Sequence, residues 1–194
     1  MDIQKVLAEY DSMFGKYTLK EIEGFLLKHL SEARFKSEHE ELVTLLNEAI
    51  GFYRDTTQKE KALKNCGALM EHLVEMKLEG TIPYATSLLN IANAFRAFDL
   101  HKEAVQLFEK VEEIYGNHIS KEDFMYASLY NNWALAYQES GEYDKAAEML
   151  RKALKIVDLY KEAIIPQATT RTNLASSLLA IGTESAYQEA VEHL

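Results

Sequence analysis

Apolar and small residues recur along this chain at i, i+3, i+4 and i+7, the spacing that lines one face of an α-helix. Leu88, Ile91, Ala92 and Phe95 trace one such stripe, and Ala104, Val105, Phe108 and Val111 trace the next. Stripes and end signals together predict helices at 2–13, 18–35, 38–55, 58–77, 84–98, 101–115, 121–139, 142–160, 166–181 and from 186 onward. Thr18-x-x-Glu21, Ser37-x-x-Glu40, Thr57-x-x-Glu60 and Ser185-x-x-Gln188 read as capping boxes, and Ser120 with Asp123 as a weaker variant. Gly141 and Gly182 stand where helices close on a left-handed residue.

The stripes repeat. Aligning the segments that start at Tyr84, Tyr126 and Gln167 superposes Asn90, Asn132 and Asn173, and with them Ala92, Ala134 and Ala175. A more diverged copy upstream supplies Asn47, Ala49 and Phe52, so successive asparagines are spaced by 43, 42 and 41 residues. Each unit is a pair of helices, and stacked antiparallel hairpins of this kind make an all-α, right-handed superhelical solenoid whose concave face is lined by first helices. The expected organisation is an N-terminal capping hairpin at 1–36, then repeats at 37–79, 80–121, 122–163 and 164–194. The last repeat is incomplete, so the expected end is a frayed hairpin or one covered by another molecule.

Trp133, Ala134, Tyr137, Gly141 and Ala146 follow the pattern large apolar, small, aromatic, Gly, Ala, and in this they resemble the tetratricopeptide repeat family. Ile91, Ala92, Phe95 and Ala104 match it with Asp99 in the glycine's place. Ala49, Phe52 and Ala62 match it in the first repeat, and Leu174, Ala175, Leu178 and Gly182 in the fourth, where Ala190 arrives late. The period exceeds the family's common ~34 residues by about one helical turn on each helix, which is similar to the kinesin-light-chain-type and bacterial-regulator branches. The stretch EGTIPYATSLLNIANAFRAF also resembles the helical front end of bacterial proteins that continue into a nucleotidyltransferase-like domain. Together with the short last repeat, this suggests a piece of a longer protein.

Composition agrees with a chain of helices. There are 2 prolines and 8 glycines in 194 residues, against an ordinary combined share of about 12%. That scarcity excludes sandwiches and barrels, which turn far more often. Both prolines, Pro83 and Pro166, fall at the start of a repeat's first helix. The formal net charge of −10 disfavours nucleic acid and anionic membrane surfaces as partners. No window is apolar enough for a signal peptide or membrane span. The single cysteine, Cys66, cannot form an internal disulfide, and the expected location is the cytoplasm.

No catalytic constellation emerges, so the chain is expected not to be an enzyme and to need no cofactor. His29, His39, His72, His101, His118 and His193 show no i+3 or i+4 pairing, and no Cys/His cluster or Gly-rich phosphate loop is present. Adjacent acids such as Glu112 and Glu113 face different sides of a helix. Cys66 and Trp133 occupy packing positions of the repeat. The asparagines are different, because a mid-helix carboxamide competes for backbone hydrogen bonds. A ladder of them either bridges neighbouring hairpins or hydrogen-bonds the main chain of an extended peptide. Peptide-binding members of the family use an asparagine at the matching position in the second way.

Helical geometry surrounds the ladder with Thr86, Asn93 and Arg96 in the second repeat, Ser128, Asn131 and Gln138 in the third, and Thr169 and Thr172 in the fourth. Asn47 and Arg54 represent the first. With Asn90, Asn132 and Asn173 these form the expected peptide-binding face, polar and largely uncharged. The resulting expectation is a non-catalytic module that binds a protein or extended peptide. The alternatives are the recruiting arm of a larger enzyme, or a bacterial signalling-peptide receptor. Self-association through the uncapped last hairpin is a further expectation.

Overall fold

A computed structural model describes residues 1–193. Among them the helices are α1 (Ile3–Met13), α2 (Leu19–Lys36), α3 (His39–Asp55), α4 (Lys59–Glu75), α5 (Ile82–Ala97), α6 (His101–His118), α7 (Phe124–Glu139), α8 (Tyr143–Val157), α9 (Ile164–Ile181) and α10 (Glu184–His193), with no strand. No helix among the described residues is long and apolar enough to cross a membrane. The chain forms two compact units, Met1–Glu79 with α1–α4 and Gly80–Leu194 with α5–α10.

In the first unit α2 and α4 both pack on α3. Ile22, Leu26, Leu30 and Ala33 of α2 are buried, as are Leu45, Leu46, Ala49 and Ile50 of α3 and Ala62, Cys66, Leu69 and Leu73 of α4. In the second unit α5–α6, α7–α8 and α9–α10 are successive hairpins, each second helix packing on the following first helix. Trp133 is 5% exposed and stacks between Phe108 and Tyr137, with ring centroids 6.1 and 6.2 Å away, so the repeat's large apolar position is a packing position.

One turn is used again and again. Thr57, Asp99, Gly141 and Gly182 all have positive φ, at 57°, 63°, 78° and 74°, and they are spaced by one repeat period. In the first three the next amide reaches back to a carbonyl of the closing helix: Gln58 to Tyr53 at 2.8 Å, Leu100 to Phe95 at 2.9 Å and Glu142 to Tyr137 at 2.8 Å. This is the 6→1 bond of a Schellman ending. The same three residues then accept from the amides of Ala62, Ala104 and Ala146, each fully buried where two helices meet.

Left-handed geometry displaces two of the five expected capping boxes, and two others give way to a neighbouring cap. Thr18 and Glu21 form theirs, each satisfying an amide of the other's segment. Ser37 and Thr57 instead adopt left-handed geometry at the end of the preceding helix, so the caps are Glu38 and Gln58. Asp123 rather than Ser120 caps α7, accepting from Met125 N at 2.9 Å. At α10 the cap is Thr183 rather than Ser185, with its Oγ1 accepting from Ala186 N at 3.2 Å. In α5 and α9 the prolines sit at the second and third helical positions, since the helices start at Ile82 and Ile164. Their missing amides still fall among the unpaired first-turn donors.

The last hairpin is helical to His193. Arg151 of α8 holds α10 through two hydrogen bonds to the Glu189 carboxylate, both 2.7 Å. Ala186 and Ala190 are both buried, so this helix docks through a pair of alanines.

Candidate functional site

In the second unit α5, α7 and α9 are the first helices of their hairpins, and the repeat-phase asparagines lie half-buried along them. Asn132 Nδ2 donates to Ser128 O, one turn back, at 2.9 Å. Its Oδ1 has no partner among the described residues. Asn47 of the first unit makes the same bond to Val43 O at 3.0 Å. Back-bonding to the own helix orients the amide, whose donor shares the i−4 carbonyl with the backbone ladder.

The bridging role falls to flanking residues. Asn131 Nδ2 donates to Ala127 O at 2.9 Å and to Thr170 Oγ1 of α9 at 3.0 Å. Gln138 Nε2 donates to Asn173 O at 3.0 Å and to Ser177 Oγ at 2.7 Å. Thr170 and Ser177 are fully buried, so these bonds satisfy groups that water cannot reach. Asn131 and Gln138 therefore tie α7 to α9, whatever else they touch.

Of the other expected residues, Thr86, Ser128, Thr169 and Thr172 are exposed. The hydroxyls of Thr86 and Thr172 bond back to Ile82 O at 3.1 Å and Ala168 O at 2.9 Å. Asn93 is half-buried, with Oδ1 enclosed and unpartnered. Neither arginine is a free cation: Arg96 pairs with Glu139, and Arg54 with Asp55 at 2.8 Å. The face is thus neutral as well as polar. Asn47 and Arg54 belong to the first unit, while the remaining expected residues share the second.

Beside Asn132 lies a recess of about 270 Å³ between α7 and α9. Phe124, Val157, Ile165 and Pro166 form its apolar walls, and Ser128, Asn131, Asn132 and Thr169 its polar side. Ile164 and Ile165 are 70% and 79% exposed, two adjacent large apolar side chains left to solvent at the rim of this recess. The exposed isoleucines escape a periodicity reading because they precede Pro166, where the sequence signals place the helix start.

Elsewhere, chemistry is sparse. Among the described residues no three metal-ligating side chains converge. His39 Nδ1 and His72 Nε2 meet at 3.4 Å across the α3–α4 hairpin with nearly parallel rings, a pair invisible to sequence spacing because it spans 33 residues. Burial pushes the Cys66 thiol up to about 12, which leaves it a packing group rather than a nucleophile. Glu112 accepts from Tyr130 Oη at 2.7 Å while Glu113 faces Lys110 at 2.8 Å, two separate surface roles for adjacent acids.

Residues 127–164 match the family model described as the tetratricopeptide repeat. No curated protein matches the chain. Among solved structures, BtubC (BKLC) from P. vanneervenii is similar, with a TM-score of 0.85 and 20% identity over 99% of this chain and 76% of that one. A putative kinesin light chain from Podosopora anserina with nearly identical TPR-like repeats is similar at a TM-score of 0.79 and 19% identity, over 98% of this chain and 92% of that one. The MamA protein is similar at 0.55 and 15%, over 88% of this chain and 90% of that one. The fold is accordingly that of tetratricopeptide-like repeats of the kinesin-light-chain type. The likeness of residues 79–98 to proteins with a nucleotidyltransferase-like domain finds no support among these matches.

Proposed function

We propose that the chain is a non-catalytic scaffold that binds an extended protein segment on the first-helix face of the second unit. The observation that carries this reading is Asn132. Its amide is oriented by its own helix, its Oδ1 is unspent, and it stands at the edge of an apolar recess of side-chain size. Such a group accepts a main-chain N–H from a ligand while the recess takes a neighbouring apolar side chain. Each added hydrogen bond contributes about 0.5–1.5 kcal/mol net, so affinity accumulates over several contacts rather than at one. In the same reading α1 and α2 close the first repeat as a cap, and the chain works in the cytoplasm.

The test starts from peptides selected for binding to the full chain from a random library. Replacing Asn90 and Asn132 together by Ala should lower the affinity of the selected peptides about tenfold or more, with helicity and unfolding midpoint retained. Undiminished binding by the folded double variant would remove this face from the function.

A second reading concerns the last hairpin, where Leu179, Tyr187 and Val191 are 47%, 56% and 56% exposed. That patch supports contact with another copy of the chain. Sedimentation of the chain beside a Tyr187→Glu, Val191→Glu variant tests it: a dimer that dissociates in the variant agrees, and identical monomers refute it.

A further inference from the structure

The first unit carries a groove of about 370 Å³ between α2 and α4, floored by Tyr53 of α3. Its walls are apolar, from Leu27, Leu30 and Ala68, and Leu27 is half exposed. One carboxylate enters it, Glu23, and its charge is already engaged. Glu23 Oε1 accepts from Lys61 Nζ at 2.6 Å and from Tyr53 Oη at 2.9 Å, and these bonds hold its carboxyl below the usual carboxylate range. Two further cations line the groove, Arg34 and Lys64, and their side chains have no hydrogen-bond or ion-pair partner among the described residues. In a chain of net charge −10, an apolar trough edged by unpaired cations is a local reversal of sign.

The repeat shows that packing does not demand this reversal. Tyr53 and Lys61 recur two periods later as Tyr137 and Lys145, and the ammonium-to-ring distances are 5.4 and 5.3 Å. The corresponding groove of the second unit, between α6 and α8, nevertheless carries the opposite balance, with Asp99, Glu103, Glu109 and Glu142 against Lys102 and Lys145. The position of Lys64 is Gln106 in the next repeat and Glu148 in the one after. The fold thus tolerates positive, neutral and negative residues there, and the charge in the first unit is free to serve recognition.

We infer that the α2–α4 groove is a second binding site, for a segment of a partner protein that carries apolar side chains set among carboxylates. The apolar side chains fill the trough over Tyr53, and the carboxylates pair with Arg34 and Lys64. Coulombic attraction of this exposed kind makes binding fall as salt rises, with screening over about 10 Å at 0.1 M. The site is separate from the face on α5, α7 and α9, so either reading can fail without the other.

The probe is a short fluorescent peptide with leucines among Glu and Asp, beside a counterpart with Lys in place of every acid. Binding to the full chain is followed by anisotropy and by amide chemical-shift mapping. The acidic peptide should bind, shift Leu27, Arg34, Lys64 and Ala68, and lose about tenfold in affinity in the Arg34→Glu, Lys64→Glu variant. Leu27→Ser, which leaves the charges in place, should also weaken it, while Asn90→Ala with Asn132→Ala should not. Equal binding of the two peptides, indifference to the charge reversal, or shifts confined to the second unit would overturn the inference. So would the same shifts from free acetate at the same carboxylate concentration, which would mark a small-anion site.

Discussion

Asn131 and Thr170 are tied side chain to side chain across α7 and α9, the Asn131 amide donating to the threonine hydroxyl at 3.0 Å in a position with no solvent access at Thr170. Asn132, the next residue along, makes only a bond to its own helix. Removing one partner of a buried bond leaves the other unsatisfied, which costs about 1–3 kcal/mol, whereas surface changes stay within about 0.5 kcal/mol. Asn131→Ala and Thr170→Val should therefore lower the unfolding free energy in urea by about 1–2 kcal/mol, and Asn132→Ala should leave it nearly unchanged. A large loss for Asn132→Ala would mean that the ladder amide is structural.

The left-handed turn between paired helices offers a second measurement. Thr57 and Asp99 hold φ values of 57° and 63°, a conformation that costs roughly 1–2 kcal/mol for an L-residue with a Cβ. Thr57→Gly and Asp99→Gly should each raise the thermal midpoint, by a stabilisation of about 1 kcal/mol. Gly141→Ala should lower it, and only through the backbone, since a Cβ there meets nothing within 4 Å.

Cys66 is 2% exposed and its thiol is raised to about 12 by burial. At pH 8 it stays protonated and enclosed, so a thiol reagent such as dithiobisnitrobenzoate should react at the rate of unfolding, and at full speed in denaturant. Rapid titration of the native chain would contradict the placement of α4.

Two carboxylates should respond to pH in opposite senses. Burial first, and then the charge of Asp11, raises the Glu48 carboxyl above its ordinary 4.5. Its charged form is disfavoured in the folded state, so the penalty is absent below pH 4.5 and grows as pH rises through the folded value. Glu48→Gln should stabilise the chain at pH 7 and do nothing at pH 3. The Arg151 hydrogen bonds lower the Glu189 carboxyl, so its contribution is present above 4.5 and lost as pH falls through the depressed value. Glu189→Gln should destabilise at pH 7 by less than about 1 kcal/mol, because both side chains are partly solvated, and by less at pH 3. Urea unfolding at the two pH values measures both.

Much of this molecule was determined by local pattern. The apolar stripe of α5 is legible because a helix's buried face is written into its own periodicity, and the repeat is legible because Asn90, Asn132 and Asn173 recur in phase. The left-handed turn was legible only at Gly141 and Gly182. At Thr57 the tertiary packing of a close hairpin imposed the same geometry on a residue whose sequence context reads as a cap.

What the tertiary structure alone decided is which polar group is spent and which is spare. Asn131 and Asn132 differ by one residue and about 100° of helical rotation, and the sequence assigns both to one polar face. Only the placement of α9 makes the first a bridge and leaves the second open. Likewise Glu23, Tyr53 and Lys61 converge from three helices, and Arg34 and Lys64 are left unpaired beside them. A helix encodes its own faces through its period, but the partners that each face meets depend on how neighbouring helices rotate and stack, and no single helix carries that information.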